Sequence, residues 1–295
     1  MIRSVGRLGP LKVTGLVMWE LRYTLLVVAV VVGLLIPVPD TSQNEYAAAV
    51  LSVLGIATSV FIGFRNTTAY NRWWEARTLW GGIIINSRTL HNGLTSVATG
   101  SPGMAPILDR MRRRQVRYCW RLAAEMRGVP IVDRADELTE DPPDTNSTDL
   151  LHLQAEDVAA LVNGGFVDEQ ARIVLMTANT GAATAQSGLE RIRNEPIPVH
   201  YDFFIRALAW FFGVMAFNRL DAATENHAGS VIVGVLMMAT FVIAERVGGL
   251  IENPMSNTVF DIPMYRICTT ISGNLLGAGH PLAQSREGEK SVVWM

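Results

Sequence analysis

The sequence predicts an all-α integral membrane protein, with spanning helices toward both ends and a water-soluble helical body between them. Three observations carry this. The 295 residues are 49% hydrophobic and only 18% charged, where a soluble domain would carry about a quarter charged residues. The charges avoid four stretches and crowd the middle of the chain, so the mean hydropathy of +0.23 averages two different environments. No stretch shows the alternation of a half-buried strand.

The first predicted span covers residues 22–38. After Arg22 it holds no charge, it ends at Pro37 and Pro39, and the amphipathic residues 16–21 ahead of it bring it to the roughly 20 residues a spanning helix needs. The second covers 46–65: residues 46–64 are uncharged, Arg65 closes them, and Gly55, Ser59 and Gly63 lie among them. The body, 66–195, reads as helices near 72–90, 107–126, 150–163 and 168–192. In the second of these, Arg112, Arg113, Arg114, Arg117 and Arg121 are expected on the wet faces. Residues 128–149 carry Pro130, Pro142, Pro143 and many acids, which predicts an exposed loop.

The third span, 199–219, follows Pro198 and is rich in aromatic residues; Arg206 inside it either snorkels to the interface or faces protein. The fourth, 229–248, is apolar to Ala244 and then meets Glu245 and Arg246. Asn253-Pro254 stops the helix, because proline lacks the amide and clashes with the preceding turn. The expected organisation is one domain over 1–276 and a flexible tail over 277–295.

Basic residues set the orientation. Arg3, Arg7, Lys12 and Arg22 flank the first span on one side, while the connection on its other side carries Asp40 and Glu45 and no arginine or lysine. The body is arginine-rich, the connection after Arg219 is nearly devoid of basic residues, and the tail bears Arg286 and Lys290. Both termini are therefore expected in the cytoplasm, with the protein multi-pass in the cell membrane. The basic residues 1–11 precede no short apolar stretch with a small-residue cleavage site, so no removable signal is expected.

Several function classes drop out. A net charge of −2 gives no cationic field for nucleic acid. Cys119 and Cys268 have neither metal-ligand nor framework spacing and read as packed thiols. The five histidines are scattered, and there is no phosphate loop and no nucleophile elbow. No enzyme chemistry, metal or cofactor is expected.

The second span holds the candidate site. Positions four apart on a helix share a face and rise about 6 Å per step. Ile56, Val60 and Phe64 form such a row, and Gly55, Ser59 and Gly63 run beside it. Small residues at that spacing let helices approach closely in lipid. Around an axis, several copies of the bulky row would stack three apolar rings over roughly 12 Å, and apolar constrictions gate by dewetting. From spacing alone, the commoner reading of such a row is one that simply meets another helix or lipid.

Other candidates have two readings each. Trp73 and Trp74 fit interfacial anchors better than ion contacts. Asp40 and Glu45 would place acidic charge at the outer mouth, favouring cations, or are solvated loop acids. Glu195 could form an acidic ring at the inner exit or be an ordinary cap. Asn66 and Asn71 could meet a desolvating ion or simply hydrogen-bond along the helix.

The run from Phe64 through Arg72-Trp73-Trp74-Glu75-Ala76-Arg77 resembles the Arg-Trp-Trp signature after the second membrane helix of bestrophins, above all their bacterial branch. Residues 112–118 resemble that family's basic cytosolic helix, and Leu161-Val162-Asn163-Gly164-Gly165-Phe166 its Leu-Val-x-x-Gly-Phe stretch. Pro196-Ile197-Pro198 and Ile251-Glu252-Asn253-Pro254 match its Ile-Pro and Asn-Pro elements, with order and spacing kept over residues 15–276. The resemblance implies a homopentamer in membrane lipid with one axial pore, four membrane helices per subunit and a cytosolic basket. Its neck residues fall on Ile56, Val60 and Phe64, and its second constriction near Ile192 and Glu195. Passive conduction of small monovalent ions follows, with chloride and other anions for the family at large and cations plausible for the bacterial branch. The acids that form the calcium clasp of animal bestrophins are missing, since residues 255–261 hold only Asp261, so no calcium activation of that kind is expected. A membrane scaffold or signalling subunit that binds partners through its cytosolic helices is the alternative.

Overall fold

The computed structural model describes residues 9–35, 45–98, 101–222, 227–258 and 260–284. Nine α-helices occur among them: α1 (Gly9–Leu35), α2 (Glu45–Ser96), α3 (Ala105–Arg127), α4 (Asp133–Asp136), α5 (Ser147–Asn163), α6 (Glu169–Asn194), α7 (Val199–Ala222), α8 (His227–Glu252) and α9 (Met264–Leu276). No strand occurs among the described residues. The chain forms two compact units. A membrane unit takes Ser4–Trp73 and Pro196–Asn253, and a body unit takes Trp74–Glu195 and the residues from Pro254 onward.

Helix α2 runs unbroken for 52 residues, about 78 Å at 1.5 Å per residue. The sequence suggested two helices, one closing at Arg65 and another opening at Arg72. Between them the chain turns polar, but it holds neither proline nor glycine, and the Thr68 hydroxyl donates back to the Phe64 carbonyl at 2.9 Å. Polarity marks a change of surroundings there, not an end to the helical hydrogen bonds.

In the membrane unit, α2 and α8 are long and apolar enough to cross a membrane, and α1 offers a shorter apolar stretch, Leu21–Leu34. Val28 and Val32 of α1 pack with Phe217, Met238 and Val242, while Ile62 of α2 packs with Ile205 and Ala209. Helices α7 and α8 approach closely at two glycines. A Cβ on Gly213 would lie 2.9 Å from Met238 Cγ, and one on Gly234 would lie 2.8 Å from Phe217 Cδ2 and 3.3 Å from its Cα. Outside this core, Tyr23, Leu26, Val30, Leu34, Ile232, Val233 and Leu236 are exposed. A water-soluble fold would not leave so many large apolar side chains uncovered.

The body unit has its own core, formed by Leu90 and Leu94 of α2, Leu108 and Met111 of α3, Val158 and Leu161 of α5, and Leu175 and Ala178 of α6. Small residues bring α2 onto α6 here. A Cβ on Gly188 would lie 2.8 Å from Leu79 Cδ1, one on Gly181 2.2 Å from Asn86 Oδ1, and one on Gly93 3.0 Å from Leu175 Cδ2. Helix α9 lies on α3, where Trp120 Nε1 donates to Ser272 Oγ at 3.1 Å and the Trp120 ring stacks on Tyr265 at 5.7 Å. Asn146 and Asp168 cap α5 and α6, their side chains accepting from the third residue on. Helix α3 ends on Gly128 at φ +65°, a conformation that favours glycine.

Two expectations need correction. The arginines of α3 do not all lie on wet faces: Arg114 is 4% exposed and Arg117 0%. Residues 129–146 are accordingly no free loop. Arg114 binds Asp141 at 2.7 Å and also pairs with Asp157, while Arg117 donates to Thr139 Oγ1 at 2.8 Å and to the Asp141 carbonyl at 2.7 Å. Arg121 holds Asp136 at 2.9 Å. The acids that neutralise these arginines arrive from 15 to 43 residues away, so spacing within one helix could not reveal them. Buried charge is tolerated only where it is paired and hydrogen-bonded. The second correction concerns the tail: the fold continues past Leu276 into a single helical turn, Pro281–Ala283, that buries Leu282.

Candidate functional site

Within the membrane unit, α2 has two contrasting faces. Thr58, Ile62, Arg65 and Ala69 recur at helical spacing and are buried. The other face carries Ile56 at 67% exposure, Val60 at 48% and Phe64 at 64%, with Val53 one turn before them. The three residues singled out by spacing thus form one continuous apolar row that the rest of the chain leaves uncovered. In the small-residue stripe beside it, only Gly55 is covered: a Cβ there would lie 3.0 Å from the Phe212 ring. Ser59 is exposed and returns its hydroxyl to the Gly55 carbonyl at 2.8 Å, and Gly63 faces open space.

One residue beyond Phe64 the helix turns its face by about 100°, which aims Arg65 into the unit. Its side chain is 1% exposed. One terminal nitrogen, Nη2, pairs with Asp202 of α7 and lies 3.4 Å from Glu252 of α8; the other, Nη1, donates to the Glu245 carbonyl at 2.7 Å and lies 3.5 Å from the Glu245 carboxylate. Arg206 of α7 joins the same acids, at 2.8 Å from Asp202 and 3.5 Å from Glu245. Arg206 thus meets protein acids on one side while its side chain stays 45% exposed on the other. Asn66 follows Arg65 inward and its Nδ2 donates to the Ala244 carbonyl at 3.0 Å, while its buried Oδ1 lies against α8 at Gly248.

The sequence did not single out Asp202, Glu245 and Glu252 as partners of Arg65. Acids inside or bordering apolar spans are costly unless paired, and that cost was the available signal. The partner could not be read, because the pairs are separated by 137 to 187 positions.

The remaining candidates are scattered. Trp73 stacks on Tyr70 at 6.3 Å within the membrane unit, and Arg72 contributes to the charge around Glu252 there. Trp74 is exposed in the body unit. Ile192 is 4% exposed, packed inside the body unit, whereas Glu195 caps α6 and is exposed. Of these two aperture candidates only Glu195 reaches the surface. Glu45 opens α2, and Asp40 lies outside the described residues.

After Asn253-Pro254, Asp261 is buried and accepts from the Asn257 amide at 2.7 Å and the Thr258 hydroxyl at 3.0 Å, with Asn257 at φ +64°. Its carboxylate closes the loop on protein donors. No group of three or more histidine, cysteine or acidic side chains able to hold a metal occurs among the described residues. Burial pushes the Cys119 thiol up to about 12 and Cys268 well above its ordinary value, which leaves both as unreactive packed thiols.

A family profile described as Bacterial/Fungal Bestrophin protein matches residues 10–277. The chain belongs to the bestrophin family. Among the relatives of this bestrophin, the voltage-dependent anion channel-forming protein YneE of Escherichia coli K12 is 28% identical over 239 residues, covering 79% of this chain and 77% of the relative. The voltage-dependent anion channel-forming protein mll4386 of Mesorhizobium japonicum is 23% identical over 222 residues, covering 73% and 70%. Among solved structures, a bacterial bestrophin homologue from Klebsiella pneumoniae superposes with a TM-score of 0.73 at 24% identity, covering 88% of this bestrophin and all of that chain. A mutant of the same homologue gives 0.75 at 23% identity, covering 87% and 99%. At these identities the structures establish the fold that the bestrophin shares with them.

Proposed function

We propose that this protein is a passive ion channel of the cell membrane, in which α1, α2, α7 and α8 cross the bilayer and five copies surround one axial pore. The observation that carries the reading is the uncovered row Ile56, Val60 and Phe64 on a helix whose opposite face is buried. In a ring of copies, three layers of such side chains form a dry neck. An ion entering it loses water without gaining polar partners, and that desolvation cost makes the neck the barrier. Small monovalent ions are the cargo, and the names of the relatives favour anions over the cations that acids at the mouths would draw. Glu195, exposed after α6, is the candidate for the inner exit, and Asp40 and Glu45 for the outer mouth. Trp73 and Trp74 anchor the inner interface. Both termini lie in the cytoplasm. The family relationship supports a channel over an enzyme.

Purified protein in planar bilayers tests this. Current is expected, a reversal potential under a salt gradient reports the sign of the ion, and Ile56→Ala, Val60→Ala and Phe64→Ala each raise conductance severalfold by lowering the neck barrier. Native mass is expected at five copies of a 32.3 kDa chain. A well-folded oligomer without current favours a scaffold that binds partners through its body helices; current indifferent to all three changes places the barrier outside the 56/60/64 row.

A further inference from the structure

We propose that Arg65 is a rotational pin for α2: its buried contacts with Asp202, Glu245 and Glu252 fix which face of the helix points toward the axis. This rests on the channel reading, because the face in question is the one assigned to the neck.

The argument begins with the cost of the site. A guanidinium 1% exposed in an apolar unit is tolerable only with charge partners and hydrogen bonds, and Arg65 has both, from two other helices. The planar fork fixes direction as well as charge, since its two terminal nitrogens engage different acceptors. Nη2 faces Asp202 and Glu252, whereas Nη1 takes the Glu245 carbonyl. A lysine would supply one point charge and no such fork.

The cradle in α8 is shaped for this fork. Gly248 and Gly249 lie directly against it: a Cβ on Gly248 would sit 2.0 Å from Asn66 Oδ1 and 3.0 Å from Arg65 Nη1, and one on Gly249 3.3 Å from Arg65 Nη2. Ala244, Glu245, Gly248, Gly249 and Glu252 form one helical stripe, so a single face of α8 grips two consecutive side chains of α2. Two consecutive residues point about 100° apart, and holding both leaves the helix little freedom to turn or slide.

Position makes the pin consequential. Phe64 and Arg65 are adjacent, the first 64% exposed and the second buried. The other contacts on the buried side of α2 are apolar: Ile62 and Phe61 pack with Ile205 and Ala209, Phe61 meets the Phe204 ring edge-on, and Gly55 lies against the Phe212 ring, none of which carries the directionality of a charged hydrogen bond. Apolar packing therefore holds α2 in place, while the charged fork selects its rotation.

The test uses the full-length oligomer in bilayers and a small water-soluble methanethiosulfonate as probe; the native thiols are buried and do not compete. In the parent protein, Val60→Cys is expected to be modified rapidly with block of current, and Ser59→Cys and Phe61→Cys slowly. With Arg65→Met added, modification of Val60→Cys slows by an order of magnitude and one of its two neighbours becomes fast. Gly248→Val, which keeps every charge but fills the cradle, produces the same change of pattern. If Arg65→Met does not assemble, Arg65→Lys carries the same reading. Rapid block through Val60→Cys that is unchanged by Arg65→Met or Arg65→Lys and by Gly248→Val overturns the pin and leaves the channel reading standing. Absence of block in the parent overturns the neck itself, and with it the inference.

Discussion

At the scale of single residues, the body unit is organised by arginines that composition would place in water. Arg114 pairs with Asp141 and Asp157, and its hydrogen bond holds the Asp141 carboxyl below the ordinary aspartate value. A carboxyl depressed on folding stabilises the fold at all pH above its unfolded value, 3.8, and the contribution is lost as pH falls from there through the lower folded value. Unfolding in detergent, followed by tryptophan fluorescence, should thus show a decline in stability below that point that is smaller in Asp141→Asn. Arg114→Met is expected to cost about 3 kcal/mol at neutral pH, because it leaves Asp141 and Asp157 short of a partner in a buried setting. Arg110, which also holds Asp157 at 2.5 Å, limits the damage. A loss within a few tenths of a kcal/mol would mean that these charges are solvated after all.

At the scale of elements, the glycines are the informative residues. Gly213 and Gly234 let α7 and α8 meet at distances no side chain would allow, and Gly181 and Gly188 do the same for α2 and α6. In lipid, where apolar side chains gain little by leaving their surroundings, close backbone approach is what binds helices. Gly234→Leu is expected to destabilise the membrane unit by about 1–3 kcal/mol or more, since the ring and the Cα of Phe217 already occupy the space. An unchanged thermal midpoint in detergent would show that α8 can shift to make room. The same elements show what the sequence could reveal. Hydropathy and helical spacing located the apolar helices α1, α2, α7 and α8, and the row 56/60/64 emerged on one open face. Spacing could not reveal that α2 continues through Arg65, because the helix crosses a change of polarity without a breaking residue. It could not reveal the Arg65 or Arg114 clusters either, because their partners are joined only by tertiary folding.

At the scale of the whole molecule, the two units answer different solvents. The membrane unit keeps apolar side chains outside and buries its charges as a paired cluster, whereas the body unit buries a leucine-rich core and exposes polar helix faces. A chain built this way can sit in a bilayer in one orientation, and the basic residues favour the body on the cytoplasmic side. Cysteine labelling in intact cells tests that orientation directly. A membrane-impermeant maleimide should leave Glu137→Cys, exposed in the body, unlabelled until the cells are opened. It should label Thr224→Cys, in the connection between α7 and α8, from outside. The reverse pattern would invert the protein, placing Glu195 at the outer mouth and Asp40 and Glu45 at the inner one. Labelling of both from outside would remove the body from the cytoplasm and, with it, the assignment of four crossings, since a crossing α7 must put the body and the α7–α8 connection on opposite sides.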